Sequence, residues 1–283
     1  MSVETRDSIG ESRLALDGKQ LGACLTWPSG PLARLTVVPE SDSTNSDALT
    51  ALRSGARVPH FSAFVSDFQR AGRGRSGRTW ETPPGTSLTM SIVLRPEVAR
   101  ASFVWVPMLS GLAVVRALAG LGVSARLKWP NDVVVDSGDA EEVPGWGTDR
   151  KVAGILCEVE LDAVVVGIGV NVSQRAEELP VAHATSLEVA GAASLARGAL
   201  FGRIVRELDA IIVAWEREPA MAHDLVARAC ATIGESVVVE IPGAAPLSGT
   251  AVGLSTDGGL EVRLAGGEMR TVLAGDVRVR AVR

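Results

Sequence analysis

Glycines alternate with arginines over residues 71–80, AGRGRSGRTW, and this stretch has residue types that could bind an anion. Glycine lets backbone N–H groups approach a ligand closely, and Arg73, Arg75 and Arg78 can each donate bidentate hydrogen bonds to a phosphate or an acyl phosphate. The alternation therefore predicts a loop that folds over a phosphate-bearing ligand and becomes ordered when that ligand binds.

Other interpretations of the same stretch stay open. The spacing of Gly72, Gly74 and Gly77 matches G-x-G-x-x-G, but a dinucleotide-binding turn opens a helix, which Pro83–Pro84 disfavours. An RNA-binding tract needs an open basic surface with bases stacked on aromatic rings, and Trp80 is the only aromatic residue in the stretch. A flexible loop whose arginines bind nothing is the remaining alternative.

Two lysines further along the chain, next to turns, are candidate site residues that the local pattern alone does not separate from structural ones. Lys128 precedes Trp-Pro-Asn131-Asp132, which reads as a strand that ends in a polar turn, and Lys151 opens a strand after the acidic, glycine-rich residues 136–149. An edge lysine with a capping Asn-Asp pair and a solvated strand terminus are the alternatives. Residues 136–149 are expected to form a mobile surface excursion, and their role is open.

The elements that must position these residues alternate between strands and helices. Strands are expected at LTVV, HFSAFVSDF, SLTMSIVL, ARLKW, VVV, KVAGILCEVEL and AVVVGIGVNV. Helices are expected after the cap at Ser43 or Thr44, over about 103–120, over 200–215 where apolar residues recur at three- and four-residue steps, and around 219–231. After Gly234, short strands at regular spacing predict a small C-terminal β-barrel.

Composition limits the classes of function. The net charge of −5 argues against a chain whose main role is to coat nucleic acid or an anionic membrane. The three cysteines are scattered without a C-x-x-C pair, which favours a reducing cytoplasm, and Cys157 is expected to be an inert core thiol. The start of the sequence does not resemble a leader and no run of about 18 apolar residues occurs, so a protein that is neither secreted nor membrane-spanning is expected. His60, His183 and His223 are expected to be structural or solvent-facing.

The motifs together resemble the biotin protein ligases (biotin–[acetyl-CoA-carboxylase] ligases): DSTN is followed in order by GRGRSGRTW, KWPNDV, KVAGILCEV and GIGVNV. The resemblance implies an α/β (α+β) fold with a mixed β-sheet catalytic domain of the class II aminoacyl-tRNA synthetase and biotin ligase type, plus a small C-terminal β-barrel. The implied divisions are an N-terminal arm at 1–34, the catalytic domain at 35–232 and the barrel at 233–283. Because the arm is too short for a winged-helix domain, a non-repressor member without DNA or membrane partners is expected.

The resemblance also implies roles for individual residues. Biotin and MgATP would give biotinyl-5'-AMP, with the magnesium held through substrate phosphates and no protein ligands assigned. The catalytic residues would be Lys151, Arg73 and Asp132. The biotin-binding residues would be Ser43, Thr44, Asn45, Gln69, Arg73, Gly74, Arg75, Lys151 and Gly154, and the nucleotide-binding residues would be Arg75, Arg78, Lys128, Asn131 and Asn171. Trp80 is a further motif position that could simply anchor the loop, and for Gly154 and Asn171 strand packing and turn formation are alternatives.

The implied partner is the biotin carboxyl carrier domain of an acyl-CoA carboxylase, which would accept biotin on a lysine. A monomer or a weak ligand-dependent homodimer is expected. The alternatives are a lipoate or octanoate protein ligase of the same fold, an RNA-binding module that uses the Gly-Arg stretch, and a catalytically inactive scaffold.

Overall fold

The computed structural model describes residues 13–138 and 141–279. The strands of its first part are β1 (Arg34–Ser41), β2 (Ser62–Gln69), β3 (Gly72–Arg73), β4 (Thr79–Trp80), β5 (Ser87–Leu94), β6 (Ala125–Lys128), β7 (Asp132–Asp136), β8 (Asp149–Glu160) and β9 (Ala163–Asn171). Seven of them form one sheet in the order β1-β2-β5-β9-β8-β7-β6, while β3 and β4 pair with each other. Strands β1 and β2 run parallel and the other neighbours run antiparallel, so the predicted mixed sheet is confirmed.

Helices cover both faces of this sheet. They are α1 (Gly18–Leu25), α2 (Thr44–Arg53), α3 (Val106–Ala119), α4 (Arg197–Arg217) and α5 (Met221–Ala229). Side chains alternate between the faces of a strand, so Ile92 and Val166 join the large core under α3 and α4, whereas Val93 and Val165 join a smaller cluster under α2. The near-continuous apolar run of β9 is therefore explained by burial on both faces.

The C-terminal strands form a second, antiparallel sheet, which is open where the sequence predicted a closed barrel. Its strands are β10 (Ser236–Glu240), β11 (Leu247–Leu254), β12 (Leu260–Arg263), β13 (Met269–Val272) and β14 (Asp276–Val279), in the order β13-β12-β11-β10-β14. Within the described residues β13 and β14 lie at opposite edges. The outer edge of β14 is occupied instead by Gly145, whose carbonyl accepts from the Val279 N–H at 2.9 Å.

Residues 136–138, 141 and 142 are exposed, as the expected surface excursion requires, whereas 145–149 are half-buried, which corrects that expectation for the part next to β8. We call residues 141–149 the tryptophan segment. Val143 N donates to Gly147 O at 2.8 Å, which closes a tight turn, and Gly145 bridges to β14 as described above. The buried Arg150 donates to the carbonyls of Gly147 and Glu141 and so fixes both ends of the turn.

Residues 72–80, which we call the arginine loop, form a small two-stranded unit. Gly72 pairs with Trp80 and Arg73 with Thr79, and a short 3-10 turn at Arg75–Gly77 joins them. The chain then enters β5 without a helix, so the dinucleotide-turn interpretation is wrong.

Two further findings concern the rest of the chain. The arm predicted at 1–34 contains helix α1, whose N-terminus is capped by Asp17 through hydrogen bonds from Lys19 N and Gln20 N; residues 1–12 lie outside the described residues.

In the described part of the chain, Arg100–Ala119 is long and apolar enough to cross a membrane, but 61% of its most apolar window is buried in the protein. It therefore packs as a core helix.

Candidate active site

A cavity of about 570 Å³ lies between the start of α2, the arginine loop, the tryptophan segment and the C-terminal sheet. Every site residue expected from the resemblance lines it: Ser43, Thr44, Asn45, Gln69, Arg73, Gly74, Arg75, Arg78, Lys128, Asn131, Asp132, Lys151, Gly154 and Asn171. Motifs that are far apart in the sequence thus meet in one place.

The floor of the cavity is made by glycines on β8 and β9. Gly154 faces Gly169 across the strand pair, and Gly167 pairs with Ser91 of β5. A Cβ on Gly167 would lie 2.4 Å from Asn45 Oδ1, and one on Gly169 would lie 2.7 Å from Trp80 Cε2. These positions need glycine because other side chains already fill the space above them.

One end of the cavity is lined by hydrogen-bonding groups of α2. Ser43 occupies the N-cap position but makes no capping bond with its side chain; Gln69 Oε1 accepts from Thr44 N at 2.8 Å instead. Ser91 Oγ lies 2.7 Å from Thr44 Oγ1 and 2.6 Å from Asn45 Oδ1. The expected helix cap is therefore at the right residue, but Gln69 supplies the capping acceptor, and this end offers several polar groups to a ligand.

The arginine loop is held by carboxylates and an amide on three sides. Arg73 Nη2 lies 2.7 Å from Glu158 Oε2, and Arg75 Nη1 donates to Asn131 Oδ1 at 2.9 Å. Arg78 forms an ion pair with Asp276 of the C-terminal sheet. The loop is thus folded over the cavity, with its guanidinium groups already near the positions where an anion would bind.

A β-bulge directs Lys151 into the cavity. Val133 pairs with Ala153 but Val134 pairs with Lys151, so Val152 is an extra residue on β8. In a regular strand Lys151 would share the core face of Ala153, whereas the bulge places it on the cavity face. Its Nζ lies 2.6 Å from Asp132 Oδ1. The ammonium and the carboxylate are therefore available together at the centre of the site.

Lys128 is buried beneath an aromatic pair. Its Nζ donates to Val277 O at 2.5 Å and lies 4.2 Å from the ring centroid of Trp146. Trp146 in turn stacks on His183, with the centroids 4.3 Å apart and the planes 9° from parallel. Burial lowers the pKa of Lys128, with Asp132 opposing the shift, and burial lowers the pKa of His183, with Lys151 adding to the effect. The imidazole therefore stacks in its neutral form near pH 7.

Trp80 and Asn171 are both held inside the cavity wall. The Trp80 ring covers Gly169, its Nε1 is buried without a hydrogen-bond partner among the described residues, and Lys151 Nζ lies 5.8 Å from the ring centroid. Asn171 donates to Thr185 O at 2.9 Å and accepts from Gln174 at 3.0 Å. Its amide is thus partnered within the protein, as a buried amide must be.

The cavity is more basic than the chain as a whole. Its lining includes six basic side chains (Arg73, Arg75, Arg78, Lys128, Lys151 and Arg278) and four acidic ones (Glu81, Asp132, Glu240 and Asp276), although the chain carries a net charge of −5. Cations in a partly enclosed cavity attract anionic ligands. The site is therefore suited to a ligand that carries phosphate or carboxylate groups.

Comparisons with known proteins agree with this geometry. A model of the biotin/lipoate A/B protein ligase family matches residues 40–173, and a model of the biotin protein ligase C-terminal domain matches residues 232–280. The biotin–[acetyl-CoA-carboxylase] ligase of Mycobacterium tuberculosis is 36% identical over 271 residues, which cover 94% of this chain and 96% of that protein. This chain belongs to the biotin protein ligase family.

Solved structures of biotin protein ligases share its fold. The enzyme of Aquifex aeolicus in complex with biotin and ATP aligns with a TM-score of 0.71 at 28% identity, covering 88% of this chain and 99% of that one. The enzyme of Leishmania major in complex with biotinyl-5-AMP aligns with a TM-score of 0.55 at 26% identity, covering 84% and 98%. The predicted family, the fold class and the assignment as a ligase enzyme are confirmed.

Sequence reasoning missed four residues of this biotin protein ligase. Trp146 and His183 line the cavity, which corrects the expectation that all three histidines are structural or solvent-facing. Glu158 and Asp276 are the ion-pair partners of the arginine loop. Glu158 lies within the KVAGILCEV motif, but the motif does not show its partner Arg73, and the other three residues reach the site through tertiary contacts outside the quoted motifs. The indole at 146, within an otherwise polar, glycine-rich stretch, was the available signal.

Proposed function

We propose that this ligase activates biotin with MgATP to biotinyl-5'-AMP and pyrophosphate, and then transfers biotin to one lysine of a biotin carboxyl carrier domain. The observation that carries the proposal is the joining, in one cavity, of an amide-lined end, a central Lys151–Asp132 pair and a loop of three arginines. A ligand with a polar ring, a carboxylate and a phosphate fits this order of groups.

The biotin ring belongs at the end formed by α2 and β2. A cyclic urea has N–H donors and a carbonyl acceptor, so its pocket must offer both kinds of partner. Asn45 Oδ1 accepts from Ser91 and keeps a second lone pair for a ligand N–H. The Gln69 amide group, whose oxygen is used by Thr44, can turn its N–H donors towards a carbonyl.

Lys151 and Arg73 serve the first step. A biotin carboxylate oxygen attacks the α-phosphorus of ATP, the P–O bond to pyrophosphate breaks, and the pyrophosphate leaves with the bonding electrons. Negative charge builds on the phosphoryl oxygens as this happens, and fixed cations beside them lower the barrier. Lys151, on the cavity face of β8, can reach both the carboxylate and the α-phosphate.

Magnesium fits this site as an ion carried mainly by the substrate. No cluster of three or more His, Cys, Asp or Glu side chains suited to a metal occurs in the described ranges, and Mg²⁺ at nucleotide sites is commonly held by phosphates and waters with one or two carboxylates. The nearby Asp132 and Asn131 offer oxygen donors of the right kind. The ion would neutralise charge on the leaving pyrophosphate.

Asp132 serves the second step. The amine of the carrier lysine attacks the carbonyl carbon of the adenylate, the C–O bond to AMP breaks, and the amine must lose a proton. In the structure Asp132 Oδ1 is paired with Lys151 Nζ at 2.6 Å. A bound phosphate draws Lys151 away from that pair, so Asp132 becomes free to orient the incoming amine and accept its proton.

The arginine loop shields the intermediate from water. Arg75 and Arg78 face Asp276 of the C-terminal sheet, so the loop is held closed from the opposite side of the cavity. A mixed anhydride kept under such a lid is protected from hydrolysis and from unselective lysines. The C-terminal sheet thereby contributes to the site, and the division between residues 232 and 233 stays a prediction.

The carrier domain of an acyl-CoA carboxylase is the proposed acceptor, since the M. tuberculosis relative is named for acetyl-CoA carboxylase. A cytoplasmic location and a monomer or weak ligand-dependent homodimer stay predictions. The lipoate and octanoate alternative is less supported, because the named relatives and the ligands of the similar structures are those of biotin ligases. Nothing in the cavity favours the RNA-binding or inactive-scaffold interpretations.

The test is a two-stage assay on the purified protein. Adenylate formation and pyrophosphate release are measured with ATP and Mg²⁺ and either biotin or lipoate, and a carrier domain is then added. Biotin-dependent turnover that ends as a biotinylated carrier lysine is expected. Turnover with lipoate alone would move the substrate assignment within the fold, and no adenylate with either acid would refute the proposal.

A further inference from the structure

Glu158 links a residue of α2 to a residue of the arginine loop, both of which line the cavity. It lies on β8, on the same strand face as Gly154, and its Oε2 accepts from Asn45 Nδ2 at 2.8 Å and from Arg73 Nη2 at 2.7 Å. One carboxylate oxygen thus connects a buried amide of α2 to a guanidinium of the arginine loop. Neither the motifs nor the reaction steps described above assign a role to this residue.

The contact with Glu158 fixes which way the Asn45 amide points. Asn45 is 3% exposed; its Nδ2 donates to Glu158 and to Leu156 O at 3.2 Å, and its Oδ1 accepts from Ser91. A flipped amide would set its oxygen against a carboxylate and a carbonyl, which are acceptors only. Both N–H groups of the Asn45 amide therefore donate to protein acceptors, and towards a ligand the amide can only accept a hydrogen bond.

The contact with Arg73 holds the loop over the same region. Arg73 lies in β3, at the start of the loop, with its side chain 41% exposed, while that of Glu158 is 27% exposed. The loop end nearest the α2 pocket is tied by this pair, and the far end is tied by Arg78 to Asp276. Loss of the Glu158 pair would leave Arg73 without an anchor on the side where the biotin ring is proposed to bind.

We propose that Glu158 is a positioning residue that couples a ligand N–H at Asn45 to the placement of Arg73 over the reacting carboxylate. The proposal rests on the assignment of biotin to the α2 end of the cavity. A ligand N–H that binds Asn45 Oδ1 polarises the amide and strengthens its Nδ2–H···Oε2 hydrogen bond. The carboxylate is then held in place, and Arg73, hydrogen-bonded to the same oxygen, is held with it.

The test compares Glu158→Gln with Glu160→Gln. Glu160 lies two residues further along β8, on the same face, and pairs with Arg53 at 2.6 Å outside the cavity, so it is a matched control for the loss of a strand carboxylate paired to an arginine. The first readout is limited trypsin cleavage at the arginine loop, with and without biotin. The second is the rate at which preformed biotinyl-5'-AMP escapes from the enzyme.

Glu158→Gln is expected to speed loop cleavage and adenylate escape roughly 3- to 10-fold, as suits a partly exposed charged pair, and to reduce the protection given by biotin. Glu158→Asp, which keeps the charge, should recover part of the effect. In an Arg73→Ala background the Glu158→Gln change should add little, since its target is gone. Additive effects, or equal behaviour of Glu158→Gln and Glu160→Gln, would overturn the proposal.

The two proposals fail in different ways. If the unmodified protein makes no biotin adenylate, the proposed function is wrong, while trypsin cleavage of the ligand-free loop still tests the Glu158–Arg73 contact. If adenylate forms normally and Glu158→Gln leaves both cleavage and escape unchanged, the proposed function stands and the coupling through Glu158 is refuted.

Discussion

Replacement of Gly167 by alanine is the sharpest steric test of the amide-lined end of the cavity. A Cβ at this position would lie 2.4 Å from Asn45 Oδ1, whereas ordinary contact begins at 3.4 Å, so the amide must shift by about 1 Å. The Ser91–Asn45 bond of 2.6 Å and the Asn45–Glu158 bond of 2.8 Å cannot both survive that shift. The acceptor that we assign to the biotin ring is therefore displaced.

The size of the effect follows from one lost ligand hydrogen bond that leaves a buried partner unsatisfied. Such a loss costs about 1–3 kcal/mol. At 1.4 kcal/mol for each factor of ten, the Kd for biotin should rise roughly 5- to 140-fold. ATP binding should change far less, since the nucleotide is assigned to the opposite end of the cavity.

Isothermal titration with biotin and, separately, with ATP measures both effects. Gly22→Ala is the control, because Gly22 lies in α1 with nothing within 4 Å of an added Cβ; it should leave both affinities unchanged and slightly favour the helix. A Gly167→Ala protein that stays folded and binds biotin with unchanged affinity would refute the assignment of Asn45 to the biotin pocket.

Three further predictions concern the charged centre of the site. Lys151→Ala should lower the rate of adenylate formation far more than the affinity for biotin, because the ammonium is assigned to the charge that develops at phosphorus. Near-normal adenylate production in a rapid-quench assay would contradict this. Asp132→Ala should spare adenylate formation and slow transfer to the carrier, and equal loss of both steps in single-turnover measurements would exclude the role of proton acceptor. Trp146→Ala should raise the KM for ATP several-fold with little change in the KM for biotin, since the Trp146 ring covers Lys128 at 4.2 Å. Trp146→Phe should recover part of the loss, because it keeps an aromatic ring. Equal changes in both KM values would contradict the assignment of this region to the nucleotide.

The strands and most helices could be predicted because their signals are local. The near-continuous apolar run of β9 and the three- and four-residue steps of α4 are properties of short windows, and the structure confirms them. The bulge at Val152 could not be predicted in this way, since it is defined by the pairing register of β7 and β8. Without it, the periodicity of β8 places Lys151 on the core face, opposite to where it lies.

Contacts between distant segments account for what was missed at the site. The tryptophan segment looked like solvated chain because of its acidic residues and glycines, yet Gly145 pairs with Val279 and Trp146 stacks on His183. The C-terminal sheet looked like a closed barrel because its strands are short and regular, but β13 and β14 lie at opposite edges of an open sheet, and Gly145 bonds to the β14 edge. Local composition cannot predict such contacts, because Gly145 and Val279 lie 134 residues apart in the sequence and Trp146 and His183 lie 37 residues apart.

Three of the cations proposed to bind phosphate, Arg73, Arg78 and Lys151, are paired with carboxylates, whereas Lys128 donates to the Val277 carbonyl. Arg73 pairs with Glu158 and Lys151 with Asp132, while Asp276 pairs with the arginine loop from the C-terminal side. Without the carboxylates these cations would repel one another in the cavity. The carboxylates reduce that repulsion and so allow the cations to lie close together. An arriving phosphate must compete with those carboxylates, and each carboxylate that it releases is negatively charged and next to the substrate. In the proposed mechanism, binding of the nucleotide would also prepare Asp132 to accept a proton, which is a physical reason for the transfer step to follow adenylate formation.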